Sequence, residues 1–221
     1  IEKVLLKKGL TGEQFQQLFS LLQEKQIAFQ FVPVEKLDKI TRARHQGVIA
    51  VIPSVDYVSL EDAVEKAFAK KENPLFLMLD GVSDVRNFGA IARSAECAGV
   101  DCIILPAKGG ASITPDAIKT SAGALHTLPV CKEKNLVQTV KYLKASGVRV
   151  VAATEKGDKV YTDTDLTGPL AIVMGAEDTG VSPEIIRLCD DLVKIPINGK
   201  ISSLNVSVAA GVMIYESIRQ R

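Results

Sequence analysis

The chain has 221 residues, room for one large domain or a medium and a small one, with a core that needs no disulfide or metal staple. Its 27 Lys+Arg balance 26 Asp+Glu and 47% of its residues are hydrophobic, which excludes a disordered, collagenous or polybasic tail protein. No run approaches the ~20 apolar residues of a membrane span. The start, Ile1-Glu2-Lys3, is neither an initiator Met nor a signal peptide, so further residues are expected before it.

Alternation over Val4–Leu6 and Ile27–Val32, an apolar run over Gly47–Ile52 and a helical pattern from Thr11 to Glu24 predict a small α/β unit over residues 1–52. Thr11 and Gln14 have capping-box spacing for that helix. Residues 1–52 carry eight Lys/Arg against five Asp/Glu, residues 53–74 three against five, and residues 75–221 sixteen of each. The basic excess includes Arg42, Arg44 and His45, a cluster that suits an anionic partner, although a solvated basic face is the ordinary explanation for three extra charges.

Pro53-Ser54 ends the small unit, and residues 53–74, with an acidic amphipathic helix over Ser59–Lys70, are expected to form a linker. From Leu75 the pattern alternates strand and helix. Strands are expected at Leu75–Leu79, Val100–Leu105, Val130, Arg149–Ala153, Leu170–Met174 and Leu192–Ile197. Helices are expected at Phe88–Ala98, Asp116–Leu125, Leu136–Ala145, after Ser182-Pro183-Glu184, and at the end of the chain. Continuous apolar strands between helices predict an α/β domain with a mainly parallel sheet covered on both faces, whose ligands sit outside the carboxyl ends of the strands.

Three loops fall at such ends. The first contains Asn87 and Arg93; an N-cap is the common use of such an asparagine, whereas an arginine in a small, apolar helix wants an anion. The second, Gly175-Ala176-Glu177-Asp178-Thr179-Gly180, permits close backbone approach to a ligand, and its Glu177 wants a partner; a plain glycine turn is the alternative. The third, Ile195 to Ala210, contains Ser202 or Ser203 as candidate caps of the last helix, with Asn205 and Ser207 less expected inside an apolar helix. There is no Gly-x-Gly-x-x-Gly and no Gly-Lys-Ser/Thr, which argues against a nicotinamide-dependent oxidoreductase and a Walker nucleotide site.

Cys97, Cys102, Cys131 and Cys189 form no CxxC pair and have only His45 and His126 as company, so buried, reduced thiols of a cytoplasmic protein are expected rather than zinc. His126 reads as a structural histidine. Asp80, Asp84 and Asp178 are acidic strand-end residues of the kind common in α/β folds, and no metal is expected.

The ordered set Asn87-x-Gly89-x-x-x-Arg93, Met174-Gly175-x-Glu177-x-x-Gly180, and Ile195-Pro196 with Ser203-Leu204-Asn205-Val206-Ser207-Val208-Ala209 resembles the three motifs of the SpoU (TrmH-like) RNA ribose 2′-O-methyltransferases, a branch of the SPOUT superfamily. The resemblance spans residues 74–221. Residues 1–52, with His45-Gln46-Gly47-Val48, are similar to the small RNA-binding domain of the branch that methylates a guanosine of bacterial large-subunit ribosomal RNA, as is the ending Tyr215 to Arg221. Val85 stands where a proline is usual and Asp178 where glycine is common.

The resemblance implies a deep trefoil knot at the C-terminal end of the sheet and S-adenosylmethionine bent within it on backbone around Gly175, Ile195 and Leu204. It also implies a homodimer whose interface includes the first and last helices of the catalytic domain. A ribose hydroxyl would attack the methyl carbon on a sulfonium in line, with no metal required. The family's arginine, here Arg93, is a poor base because its pKa lies above ~12. It is expected as an electrostatic clamp on alkoxide and phosphate, with Asn87, Ser203 and Asn205 positioning ribose or cofactor and Glu177 orienting Arg93 or Asn87. No general base is identified; solvent or a substrate phosphate would take the proton. The alternatives are a transfer RNA substrate, or a non-catalytic ribosome-binding or assembly protein on the same fold.

Overall fold

A computed structural model describes residues 3–25, 27–51 and 55–221, and the chain divides into two compact units at Ser54/Val55. The first unit contains strand β1 (Lys3–Lys7), helix α1 (Glu13–Glu24), strand β2 (Phe29–Val32), helix α2 (Val34–Ile40) and strand β3 (Val48–Val51). The sheet order is β2-β1-β3, with β2 parallel and β3 antiparallel to β1. Alternation along β1 sends Val4 and Leu6 toward Leu22 of α1, and Leu5 toward Leu37 of α2.

Two local expectations fail in this unit. Gly12, not Thr11, is the N-cap of α1 and no side chain caps it. The short helix α2, invisible to periodicity at seven residues, follows Pro33, whose fixed φ favours a helix start.

The second unit begins with α3 (Leu60–Lys70) and β4 (Leu75–Asp80), followed by α4 (Val85–Cys97), β5 (Cys102–Pro106), α5 (Pro115–Thr120), β6 (Val130–Glu133) and α6 (Leu136–Ala145). It continues with β7 (Arg149–Ala153), β8 (Lys159–Val160), β9 (Leu170–Gly175), α7 (Pro183–Ile186), β10 (Asp191–Lys194) and α8 (Val206–Gln220). The seven strands are ordered β6-β5-β4-β9-β7-β10-β8 and every pairing is parallel. Leu75, Leu77 and Leu79 pack with α4, α5 and α8 on one face, while Phe76 and Met78 pack with α3, α6 and α7 on the other. Both faces are dry, which is why the strands read as unbroken apolar runs.

The expected linker needs correction. Ile52, Pro53 and Ser54 lie outside the described residues, but α3 within that span buries Leu60, Ala63, Val64 and Ala67 against the large sheet and belongs to the second unit. Ser59 caps α3 by accepting from the Asp62 amide at 3.1 Å. The helix expected over Asp116–Leu125 is split into α5 and a short 3-10 turn, Ala124–His126, by Ala122 and Gly123 at positive φ. His126 is exposed.

Cys102 and Cys131 are buried thiols on neighbouring strands, 3.2 Å apart, and the Cys131 contact together with burial raises the Cys102 pKa. Burial pushes Cys189 up to about 12. Cys97 is exposed, against expectation, because it falls on the outer side of α4. Among the described residues no helix is long and apolar enough to cross a membrane.

Candidate active site

Parallel strands bring the ends of β4, β7, β9 and β10 to one edge of the sheet, and the three singled-out loops meet there. Asp84 caps α4, its carboxylate accepting from the Arg86 and Asn87 amides at 2.8 Å each. The helix therefore starts three residues earlier than the pattern suggested, and Asn87 is free of a cap role. Its Nδ2 donates to Oε1 of Glu177 at 2.9 Å. Asn205 Nδ2 donates to the same Oε1 at 2.9 Å and to Oδ1 of Asn87 at 3.0 Å.

Glu177 thus holds two asparagine amides that come from loops far apart in the chain. Asn205 is also the N-cap of α8: its Oδ1 accepts from the Ser207 amide at 2.9 Å, and the Ser207 hydroxyl donates to the same oxygen. Neither Ser202 nor Ser203 caps the helix. Asp80 is occupied structurally, accepting from the Ser182 amide at 2.7 Å and tying the end of β4 to the start of α7.

The loop after β9 closes on itself through Gly180 N to Ala176 O at 2.9 Å and Ala176 N to Gly180 O at 3.2 Å. A Cβ on Gly175 would stand 2.1 Å from the Gly180 carbonyl carbon, so only glycine permits this closure. Beside it opens a cleft of about 320 Å³ lined by Gly175, Glu177, Ile195, Ser203 and Leu204. All three expected cofactor residues lie on its wall.

The lining fits S-adenosylmethionine. Met174, Ile195, Leu204 and Ala209 supply apolar walls for an adenine, while Glu155, Glu177 and Asp178 supply negative charge with no Lys, Arg or His among the lining residues. That donor set complements a cationic sulfonium and an ammonium. Thr154 and Glu155 were not singled out by sequence, although their position after β7, at the same strand edge, was the available signal.

Arg93 does not join the cluster. It lies six residues beyond Asn87, about 240° around the helix, and is exposed; no described side chain pairs with it. Of the two partners expected for Glu177, the structure supplies Asn87. Arg86, one heptad earlier, shares the exposed face of α4 with Arg93.

In the small unit, Arg42 and Arg44 are exposed in the loop between α2 and β3. His45 is committed to building that loop: its Nε2 lies 2.9 Å from Asp38 Oδ1, and its Nδ1 accepts from the Gly47 amide at 3.0 Å. The turn is completed by Gln46 and Gly47 at φ 50° and 83°. A direct RNA contact by the His45 ring would require breaking these bonds.

Comparison with known proteins gives the family. Residues 74–215 match the SpoU rRNA Methylase family, and residues 1–58 match the RNA 2′-O ribose methyltransferase substrate binding family. A Bacillus subtilis protein assigned to the TrmH family of tRNA/rRNA methyltransferases, YacO, is 36% identical over 219 residues, 99% of this chain and 88% of that protein. The Vibrio vulnificus 23S rRNA (guanosine-2′-O-)-methyltransferase RlmB is 39% identical over 216 residues, 96% of this chain and 87% of its own. The SpoU methyltransferase AviRb from Streptomyces viridochromogenes, solved in complex with the cofactor AdoMet, superposes with a TM-score of 0.68 at 25% identity, covering 100% of this chain and 83% of that one. The chain belongs to the SpoU rRNA methylase family of RNA methyltransferases, whose methyl donor is S-adenosylmethionine.

Proposed function

We propose that this protein methylates the ribose 2′-hydroxyl of a guanosine in large-subunit ribosomal RNA, in the cytoplasm, where ribosomal RNA is substrate for such modification. The observation that carries the reading is the Asn87–Glu177–Asn205 cluster at the rim of an acidic cleft of cofactor size. Glu177 fixes both amides, so Asn87 and Asn205 present a preset polar rim to the ribose, with Ser203 on the wall of the cleft that would hold the cofactor. The cofactor supplies an activated methyl group when bound. The identity of the RlmB relative supports ribosomal RNA over transfer RNA.

Arg93 acts as the clamp on alkoxide and phosphate, but in a homodimer. Its helix, α4, packs against α8, whose Val208, Tyr215 and Ile218 are exposed at 53%, 52% and 39%. Pairing of two copies across α4 and α8 would cover these side chains and carry Arg93 toward the partner's cleft. A trefoil knot is supported by β10 entering the sheet between β7 and β8 and by residues 195–204 wrapping the cleft. The small unit recruits RNA through Arg42 and Arg44.

The test is methyl transfer from labelled S-adenosylmethionine to purified large-subunit RNA and to bulk transfer RNA, with the modified position mapped. Methylation of a guanosine ribose in the ribosomal RNA alone is expected. Label only in transfer RNA would replace the substrate, and no label with either RNA bound would favour the assembly role.

A further inference from the structure

The small unit has a recess of its own, of about 400 Å³, where the end of β1, helix α2 and the loop between α2 and β3 meet. Leu10 and Val34 give it an apolar wall, Lys7 and Arg44 two cations, and Asp38 one carboxylate. That carboxylate is already engaged. Because the His45 Nδ1 accepts from the Gly47 amide at 3.0 Å, the ring proton stands on Nε2, which donates to Asp38 Oδ1 at 2.9 Å. A neutral His45 leaves the lining with one net positive charge. Lys7 and Arg44 are both exposed, and among the described residues neither enters an ion pair.

The turn that rims the recess carries an unusual residue. The Val48 amide donates to the His45 carbonyl at 2.9 Å, and both central residues, Gln46 and Gly47, have positive φ. Such turns take asparagine, aspartate or glycine at the first central place, because a longer side chain is strained there. Glutamine holds it here. Gln46 lines the recess, is exposed, and its side-chain amide makes no hydrogen bond among the described residues. The recess therefore offers an apolar wall, two unpaired cations and a free amide that can donate and accept. An inorganic anion would use only the cations, and an apolar side chain of a protein would leave them unmatched. A base-paired duplex would meet the cations but hide its base faces and pairing edges. One unstacked nucleotide uses all three, its phosphate on Lys7 and Arg44, its base against Leu10 and Val34, and its edge on Gln46.

We propose that this recess captures one unpaired, unstacked nucleotide of the RNA substrate, with Lys7 and Arg44 holding its phosphate and Gln46 reading the edge of its base. This rests on the RNA-methylating reading and adds the place where the recruiting unit grips the substrate and the state of the nucleotide it grips. Bulged or looped RNA is then selected over continuous helix.

The test uses the full-length protein and two end-labelled RNA hairpins, one with a single 2-aminopurine nucleotide as a bulge and one with the same nucleotide paired to uridine. Affinity is followed by anisotropy and the state of the base by 2-aminopurine fluorescence. The bulged hairpin should bind more tightly and change its fluorescence on binding, whereas the paired one should keep its stacked signal. Gln46→Gly suits the positive φ and removes only the amide, so it should weaken the bulged hairpin about 5- to 150-fold and leave the paired hairpin as it was. Lys7→Gln/Arg44→Gln should weaken both hairpins and lessen the dependence of affinity on salt. Equal affinity for the two hairpins, or a bulge preference that survives Gln46→Gly, would overturn the recess. So would failure to bind either hairpin while large-subunit RNA is still methylated. No binding together with no methylation of any RNA would instead remove the RNA reading itself. Should the double glutamine variant fail to fold, the Gln46→Gly comparison and the fluorescence decide alone.

Discussion

Asn205 donates from Nδ2 to Oδ1 of Asn87 at 3.0 Å across 118 residues of sequence, and the same amide group reaches Glu177 at 2.9 Å. One asparagine therefore does two jobs: its oxygen caps α8 and its nitrogen joins the candidate catalytic rim. The two roles are separable because they use opposite ends of one amide.

Asn205→Asp keeps the capping oxygen and adds negative charge at a helix N-terminus, which favours the fold. It removes the donor and sets a second carboxylate against Glu177. The thermal midpoint should stay near wild type while the single-turnover methylation rate falls about ten- to a hundredfold, the loss of a hydrogen bond to a charged group. Partial recovery at lower pH, where a protonated carboxyl again donates, is expected from the pH–rate profile.

Arg93→Ala should change stability by less than about 0.5 kcal/mol, since the side chain is exposed and unpaired among the described residues. S-adenosylmethionine affinity by calorimetry should be unchanged. Methyl transfer at saturating RNA should fall by about 10² to 10³, as for removal of a preset charge partner of a developing oxyanion. A near-normal single-turnover rate would remove the clamp.

Gly175→Ala forces a Cβ to within 2.1 Å of the Gly180 carbonyl carbon, so the loop must open. Cofactor affinity should drop by more than about tenfold, a shift of 1.4 kcal/mol.

Residues 55–221 should fold as a stable cofactor-binding unit, whereas residues 75–221 should not match its stability. The shorter fragment loses α3 and bares the sheet face that Leu60, Val64 and Ala67 cover. Each buried Leu or Val is worth about 1.5–3 kcal/mol, so the urea midpoints of the two fragments should differ clearly.

Arg219 and Gln220 hold the Glu216 carboxyl down at about 2, below its ordinary 4.5. A depressed carboxyl stabilises the folded chain above its unfolded pKa, and that contribution disappears as pH falls from about 4.5 toward 2. Because Arg219 is 66% exposed, solvent screening keeps the gain small. Glu216→Gln should lower the thermal midpoint slightly at neutral pH and bring the two proteins together near pH 2.

The sequence by itself determined the parallel sheet, the three chemical loops and the family. Long apolar strands such as Leu75–Leu79 read as doubly covered because both faces are dry, and the loop motifs are contiguous spacings that survive without coordinates. It could not tell a linker from a docked helix: α3 is amphipathic either way, and only the sheet face it meets decides. Nor could it choose Asp84 over Asn87 as the cap of α4, since both side chains suit the role and the choice depends on which backbone turns first. The partner of Glu177 was likewise a tertiary decision. Arg93 and Asn87 lie on one helix, but six residues at 3.6 per turn send them to different sides, and the parallel strands deliver Glu177 and Asn205 to only one of them.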